Sequence, residues 1–187
     1  MQPQNPPTEE GTHAMNTRLR ISTFLASVLL AAAGSAVAQN PAAEASLAPT
    51  QGNKAAGTVR FTQADDGVRV EARLTGLTPG GHGFHLHEKG DCSAPDATSA
   101  GGHFNPTKKA HGHPDEGEHH LGDLPMLDAD AKGEASVTTV VKGVSISDGD
   151  TGIVGRAMIV HAAPDDYKTQ PTGNSGARVA CGVIQAK

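Results

Sequence analysis

Residues 54–74 read KAAGTVRFTQADDGVRVEARL. Val59 and Phe61, then Val68, Val70, Ala72 and Leu74, recur at every second position, the period that turns alternate side chains to one face of a strand. Asp65-Asp66-Gly67 lies between the two runs and supplies the residue types of a tight hairpin turn. The stretch is therefore an antiparallel hairpin with one apolar face. Working outward, further strand candidates are Gly83 to Glu88, Glu134 to Val141, Arg156 to His161 and Ala177 to Ile184, each bounded by Gly, Pro or Asp. No segment past residue 39 carries a convincing 3.6-residue period. With 23 glycines and 12 prolines, the pattern indicates an all-β antiparallel sandwich or barrel. Two long connections interrupt it, Lys89 to Pro125 and Ala162 to Gly176, and loops of that length inside a folded domain are usually functional or disordered.

The chain of 187 residues is long enough for one domain with a real core. Its first part reads as processing signal rather than fold. Asn16 to Arg20 forms a basic region, Ile21 to Ala33 an apolar one, and Ala36-Val37-Ala38 offers cleavage before Gln39, so residues 15–38 are expected to be a secretory signal peptide. The apolar run falls short of the roughly 18 to 20 residues a spanning helix needs, so stable membrane insertion is not expected. Residues 1–14 read as an upstream mis-start or added residues, residues 39–52 as a flexible linker, and residues 53–187 as the folded domain. Arg18 and Arg20 cancel Glu9 and Glu10, so the net charge of −5 survives cleavage. An acidic chain with no basic cluster is a poor nucleic-acid binder. Export would place Cys92 and Cys181 where a disulfide persists, with two separate buried thiols as the competing reading.

Chemistry concentrates in histidines. His85 and His87 sit at i and i+2 of a strand pattern and share a face. His161 ends a distant strand and adds a third imidazole. The loop stretch AGGHFNPTKKAHGHPDEGEHHLGD, Ala100 to Asp123, contributes His103, His111, His113, His119, His120 and Asp123. A Gly- and Pro-punctuated loop can bend several such groups around one ion, against the alternative of a solvated histidine-rich loop.

Taken in order, Gly83-Phe84-His85-Leu86-His87, Gly90-Asp91-Cys92, Ala100-Gly101-Gly102-His103-Phe104-Asn105-Pro106, His111-Gly112, His120-Leu121-Gly122-Asp123-Leu124, Gly155-Arg156 through His161, and Gly173-Asn174 through Arg178-Val179-Ala180-Cys181-Gly182 resemble copper,zinc superoxide dismutase. The resemblance covers roughly Lys54 to Gln185. It implies a Greek-key, immunoglobulin-like barrel of eight antiparallel strands with two long functional loops, and one copper and one zinc ion per chain. It implies His85, His87, His103 and His161 as copper ligands, and His103, His111, His120 and Asp123 as zinc ligands, so that His103 bridges the ions. Asp165 would hydrogen-bond His85 and His111, Arg178 would hold the substrate anion, and Cys92 and Cys181 would form the intrasubunit disulfide. His82 has no place in that metal set and is expected to be structural, and His113 and His119 to be solvent-facing bystanders.

The implied reaction is 2 O2(-) + 2 H(+) giving O2 and H2O2 by Cu(II)/Cu(I) cycling, with superoxide as the partner and His103 carrying a proton. The export signal and the Gly-Asp-Cys and Ser-Ala-Gly-Gly-His-Phe-Asn-Pro runs resemble the bacterial periplasmic branch, whose members occur as monomers and as homodimers. The segment from His161 to Arg178 is short and holds Lys168 as its one basic residue, so steering would draw on Lys89, Lys108 or Lys109. A redox-silent copper/zinc-binding or metal-delivery module on the same fold is the alternative. It would be expected to lack Arg178 or a copper histidine.

Overall fold

A computed structural model describes residues 42–147 and 149–187. The expected signal peptide and the fourteen residues before it lie outside the described residues. Among the described residues ten strands follow one another: β1 (Ala42–Pro49), β2 (Ala56–Ala64), β3 (Gly67–Thr75), β4 (Gly80–His82), β5 (Phe84–His87), β6 (Leu127–Ala129), β7 (Ala135–Lys142), β8 (Ala157–His161), β9 (Arg178–Val183) and β10 (Gln185–Ala186). Among the described residues the one helical element is a 3-10 turn at Thr98–Ala100. No described helix is long and apolar enough to cross a membrane.

The hairpin of residues 54–74 is β2 and β3, paired from Ala64↔Gly67 at the turn to Ala56↔Thr75. Val59, Phe61, Val68, Val70, Ala72 and Leu74 are buried on its inner face. The full order is β5-β8-β9-β1-β2-β3-β7, every pairing antiparallel, with β10 on β1 and a separate β4–β6 ribbon. Neighbours such as β9 and β1 are far apart in sequence, which gives the curled, crossover-connected barrel of the all-β class. β4 and β5 are parted only by Gly83, and β9 and β10 only by Ile184. Counting each broken strand once reconciles ten segments with the eight expected.

The linker expected over residues 39–52 is a correction. Residues 42–49 form β1, in which Ala43, Ala45 and Leu47 are buried. Alanine contributes little hydrophobic contrast, so this period-two pattern resembled a small-residue spacer. The strand is central to closure: Ala42 to Leu47 pair with β2, while Ala48 and Pro49 pair with β9. Proline has no N–H for a ladder, and here it occupies the strand's last position, where one is least needed.

The main core buries Phe61, Phe84, Leu124, Leu127, Ile153, Met158 and Ile184 completely or nearly so. A second, smaller cluster of Ala97, Ala100, Ala157, Ile159 and Cys181, with Cys92 packed against it, seats the first long loop on β8 and β9. Cys92 and Cys181 are disulfide-bonded with a Cα–Cα separation of 5.8 Å, and no described cysteine is free. Arg156 fastens the same region: it donates to the Gly152 and Glu88 carbonyls and lies 3.7 Å over the Phe104 ring.

Candidate metal centre

β5 places His85 and His87 on one face, and the first long loop returns to run alongside it. Leu86 N–H donates to Gly122, Phe104 N–H to Leu86, and Gly122 N–H to Phe104, each at 2.8–2.9 Å. These bonds set His103 opposite His87 and Asp123 opposite His85 as isolated bridges. A Cβ on Gly122 would run into the Leu86 carbonyl and the Phe104 N–H, so only glycine permits this close approach. His161 arrives from the neighbouring β8, at a register shift after Val160.

Two donor groups result, His85/His87/His103/His161 and His103/His111/His120/Asp123, each with its donor atoms within 4.8 Å of one another and all residues buried. The hydrogen bonds decide which ring nitrogen each histidine has left to offer. His87 Nδ1 is engaged by the Gly101 carbonyl at 2.9 Å and His161 Nδ1 by the Gly176 carbonyl at 3.1 Å. His85 Nε2 lies 2.6 Å from Asp165 Oδ2. The opposite nitrogens, His87 Nε2, His161 Nε2 and His85 Nδ1, are buried without a hydrogen-bond partner, as is His103 Nε2. Four such orphans in one group are costly in protein alone. They are what a copper ion with imidazole ligands requires.

The second group has a tighter geometry. Asp123 Oδ1 lies 2.8 Å from His103 Nδ1, 3.1 Å from His111 Nδ1 and 3.3 Å from His120 Nδ1, and His103 Nδ1 is 3.4 Å from His120 Nδ1. With zinc bonds of about 2.0–2.1 Å, tetrahedral donors stand about 3.3–3.4 Å apart. The donor set therefore fits zinc in both chemistry and span. The other oxygen, Asp123 Oδ2, accepts the N–H groups of Gly112 and His120 and shapes the loop around the site.

Asp165 connects the groups: Oδ2 meets His85 Nε2, and Oδ1 meets His111 Nε2 at 2.9 Å and accepts the Tyr167 N–H at 2.7 Å. A Cβ on Gly173 would overlap the Asp165 carboxylate and the His111 ring. Electrostatics follow the same lines. Burial holds His103 down to about 4 and His161 to about 3. Burial also works against a charged His111, but the hydrogen bonds its ring donates to the Asp123 and Asp165 carboxylates outweigh it and raise the imidazole to about 9. Burial would raise both carboxyls, yet their histidine partners hold Asp123 and Asp165 well below the usual carboxylate range.

Arg178, at the start of β9, donates Nη1–H to the Ala97 carbonyl and Nη2–H to the Gly101 carbonyl, both at 2.6 Å. Gly101 thus accepts from Arg178 and from His87, which ties the guanidinium to the copper-side donor group. His82 is buried between the carbonyls of His161 and Thr78, at 2.7 and 2.8 Å. His113 packs its ring against Tyr167, and His119 Nδ1 meets the His120 carbonyl. None of these three belongs to either donor group. Two residues outside the sequence reading also touch the site. Tyr167 Oη accepts the Met126 N–H, and the Gln170 side-chain amide bonds both main-chain groups of His111.

Fold and site define an all-β protein with two buried donor groups, sharing one imidazole, that could each hold a metal ion. A family model described as copper/zinc superoxide dismutase (SODC) matches residues 55–184. A Cu-Zn superoxide dismutase of Aquifex aeolicus is 37% identical over 171 residues, covering 89% of this chain and 99% of that protein. One from Mesembryanthemum crystallinum is 45% identical over 139 residues, 71% of this chain and 88% of that one. An extracellular Cu-Zn enzyme of Caenorhabditis elegans is 38% identical over 148 residues, and the match spans 76% of this chain and 65% of that protein. Among solved structures, the clock protein EA4 is similar with a TM-score of 0.70 and 44% identity, covering 79% of this chain and 95% of that one. A double mutant of an SOD-like protein from Bacillus subtilis gives 0.68 and 40%, covering 76% and 96%. The chain belongs to the copper/zinc superoxide dismutase family, an enzyme family whose cofactors are copper and zinc.

Proposed function

We propose that this protein disproportionates superoxide outside the cytoplasm, in a bacterial periplasm, after export on residues 15–38. The observation that carries the reading is the set of partnerless buried nitrogens on His85, His87, His103 and His161, next to a second donor group that shares His103. Copper would be held by those four histidines and zinc by His103, His111, His120 and Asp123. Copper, when bound, would supply the one-electron couple that takes an electron from one superoxide and returns it to a second, while zinc would fix the far side of His103.

The protein's own groups do the rest. Arg178 presents the N–H groups not used by Ala97 and Gly101 to the small anion, and its charge draws superoxide inward. His103, with Nδ1 committed to the Asp123 side, would take up a solvent proton at Nε2 when that nitrogen is not a metal donor and pass it to the reduced oxygen, with water supplying the second proton of peroxide. Asp165 fixes the tautomers of His85 and His111 together, so neither ring can turn without disturbing the other. The disulfide supports the extracytoplasmic location, and the extracellular relative agrees with it.

A redox-silent, metal-binding role is the second reading, raised because two of the similar solved structures are named clock protein and SOD-like protein rather than dismutase. Against it, Arg178 and both complete donor groups are present. Elemental analysis and a superoxide-consumption assay on one sample separate the two. We expect one copper and one zinc per chain with rapid consumption; a fully loaded, inactive protein would overturn the enzymatic reading.

A further inference from the structure

His111 is delivered by a loop, so no sheet ladder satisfies its main chain. The residue is only 3% exposed, and its N–H and C=O therefore need partners within the protein. Both find the same one. The His111 N–H donates to Gln170 Oε1 at 2.8 Å, and Gln170 Nε2 donates to the His111 carbonyl at 2.9 Å. A primary amide has an acceptor and donors side by side, so it reproduces the double bond pattern that a paired strand residue would offer. The remaining Nε2 contact, 3.3 Å to the Lys168 carbonyl, folds the side chain back over its own loop.

The placement matters because the ring of His111 is anchored from the same segment. Asp165, five residues before Gln170, holds His111 Nε2. Tyr167, between them, bonds the Met126 N–H three residues past Asp123. With the backbone held at one point and the ring at another, His111 Nδ1 has a single direction left, toward Asp123, His103 and His120. Asp165 alone would fix the ring plane, and the Gly112 N–H bond to Asp123 would hold the loop on one side of His111 only.

We infer that Gln170 is a positioning residue for the zinc site: its amide fixes the main chain of His111, so the second long loop holds the donor set in place before metal arrives and thereby sets zinc affinity. The inference rests on the reading of His111 as a zinc ligand. Gln170 itself is exposed, so truncating it removes no core packing, and the effect belongs in the metal site rather than in the fold.

The test compares the full-length mature protein with Gln170→Ala and Gln170→Glu. Glu keeps an acceptor for the His111 N–H but turns an oxygen toward the His111 carbonyl, so it should fail much as Ala does. Three quantities are read: the zinc dissociation constant by chelator competition, the visible absorption of Co(II) placed in the zinc site, and the melting temperature of the metal-free protein. Both variants should bind zinc about 10- to 100-fold more weakly, the usual range when a ligand's supporting hydrogen bonds are removed, with shifted Co(II) bands and a fall in metal-free melting temperature too small to account for the zinc loss. Zinc affinity within twofold of the parent, with the same Co(II) spectrum, overturns the inference. So does a fall in metal-free stability that accounts for the zinc loss. A parent protein that takes no zinc at all would instead sink the functional reading, and this inference with it.

Discussion

Replacing both cysteines, Cys92→Ala with Cys181→Ala, tests how far one covalent link supports fold and chemistry together. The bridged residues are 89 apart. Closing a loop of that length removes about 15–16 cal/mol/K of chain entropy from the unfolded state, about 4.6 kcal/mol at 25 °C. Alanine is the right replacement because Cys181 packs among Ala97, Ala100, Ala157 and Ile159, where serine would add an unpaired hydroxyl costing about 1–3 kcal/mol of its own. A loss of 4–5 kcal/mol would be a large part of the roughly 5–15 kcal/mol typical of a domain. It should appear as a lower midpoint in denaturant unfolding of the metal-free protein, compared with the oxidised parent. The bridge also anchors the loop whose Ala97 and Gly101 carbonyls hold Arg178, so superoxide turnover by the metal-loaded variant should fall as well, and lose part of its ionic-strength dependence. A stability loss under about 1 kcal/mol would refute the entropic argument. A full loss with unchanged salt dependence would refute the link to Arg178.

Arg178→Ala should lower kcat/KM by at least about tenfold, the scale of one lost charge-assisted contact of roughly 1.5–3 kcal/mol, and flatten its salt dependence while both metals stay bound; loss of copper would show a structural arginine instead. Asp123→Ala removes a donor and the acceptor for the Gly112 and His120 N–H groups, so zinc should leave selectively, and full zinc occupancy by elemental analysis would refute the assignment. In the metal-free protein, His103 and His161 are kept neutral by burial, at about 4 and 3 against an ordinary 6.5. The unfolded chain then binds more protons, so stability falls as pH drops from about 6.5 through 4 to about 3. His111 adds the opposite edge, since its raised value of about 9 gives stability that is complete below 6.5 and lost as pH rises through 9. A melting temperature flat from pH 4 to 7 would contradict the first half of this profile.

Legibility in the sequence tracks the kind of signal each residue leaves. β2 and β3 were readable because Val59, Phe61, Val68, Val70 and Leu74 alternate sharply with charged neighbours. β1 was not, because Ala43 and Ala45 bury too little surface to contrast with a spacer, although the strand closes the barrel between β2 and β9. β4, β6 and β10, at three, three and two residues, are shorter than any periodicity test can resolve. At the site, residue type carries the chemistry for His85, His87, His103, His111, His120, His161 and Asp123, so their spacing could single them out. Which nitrogen each ring offers was not legible, since it depends on carbonyls at Gly101 and Gly176 that any residue would supply. Gln170 is the extreme case. Its partner is the backbone of a residue 59 positions away, and main-chain recognition places no demand on the partner's side chain that a sequence could display. A side chain that serves another residue's backbone becomes visible only when folding brings the two together, which is why the support around a metal donor set is harder to read than the donors themselves.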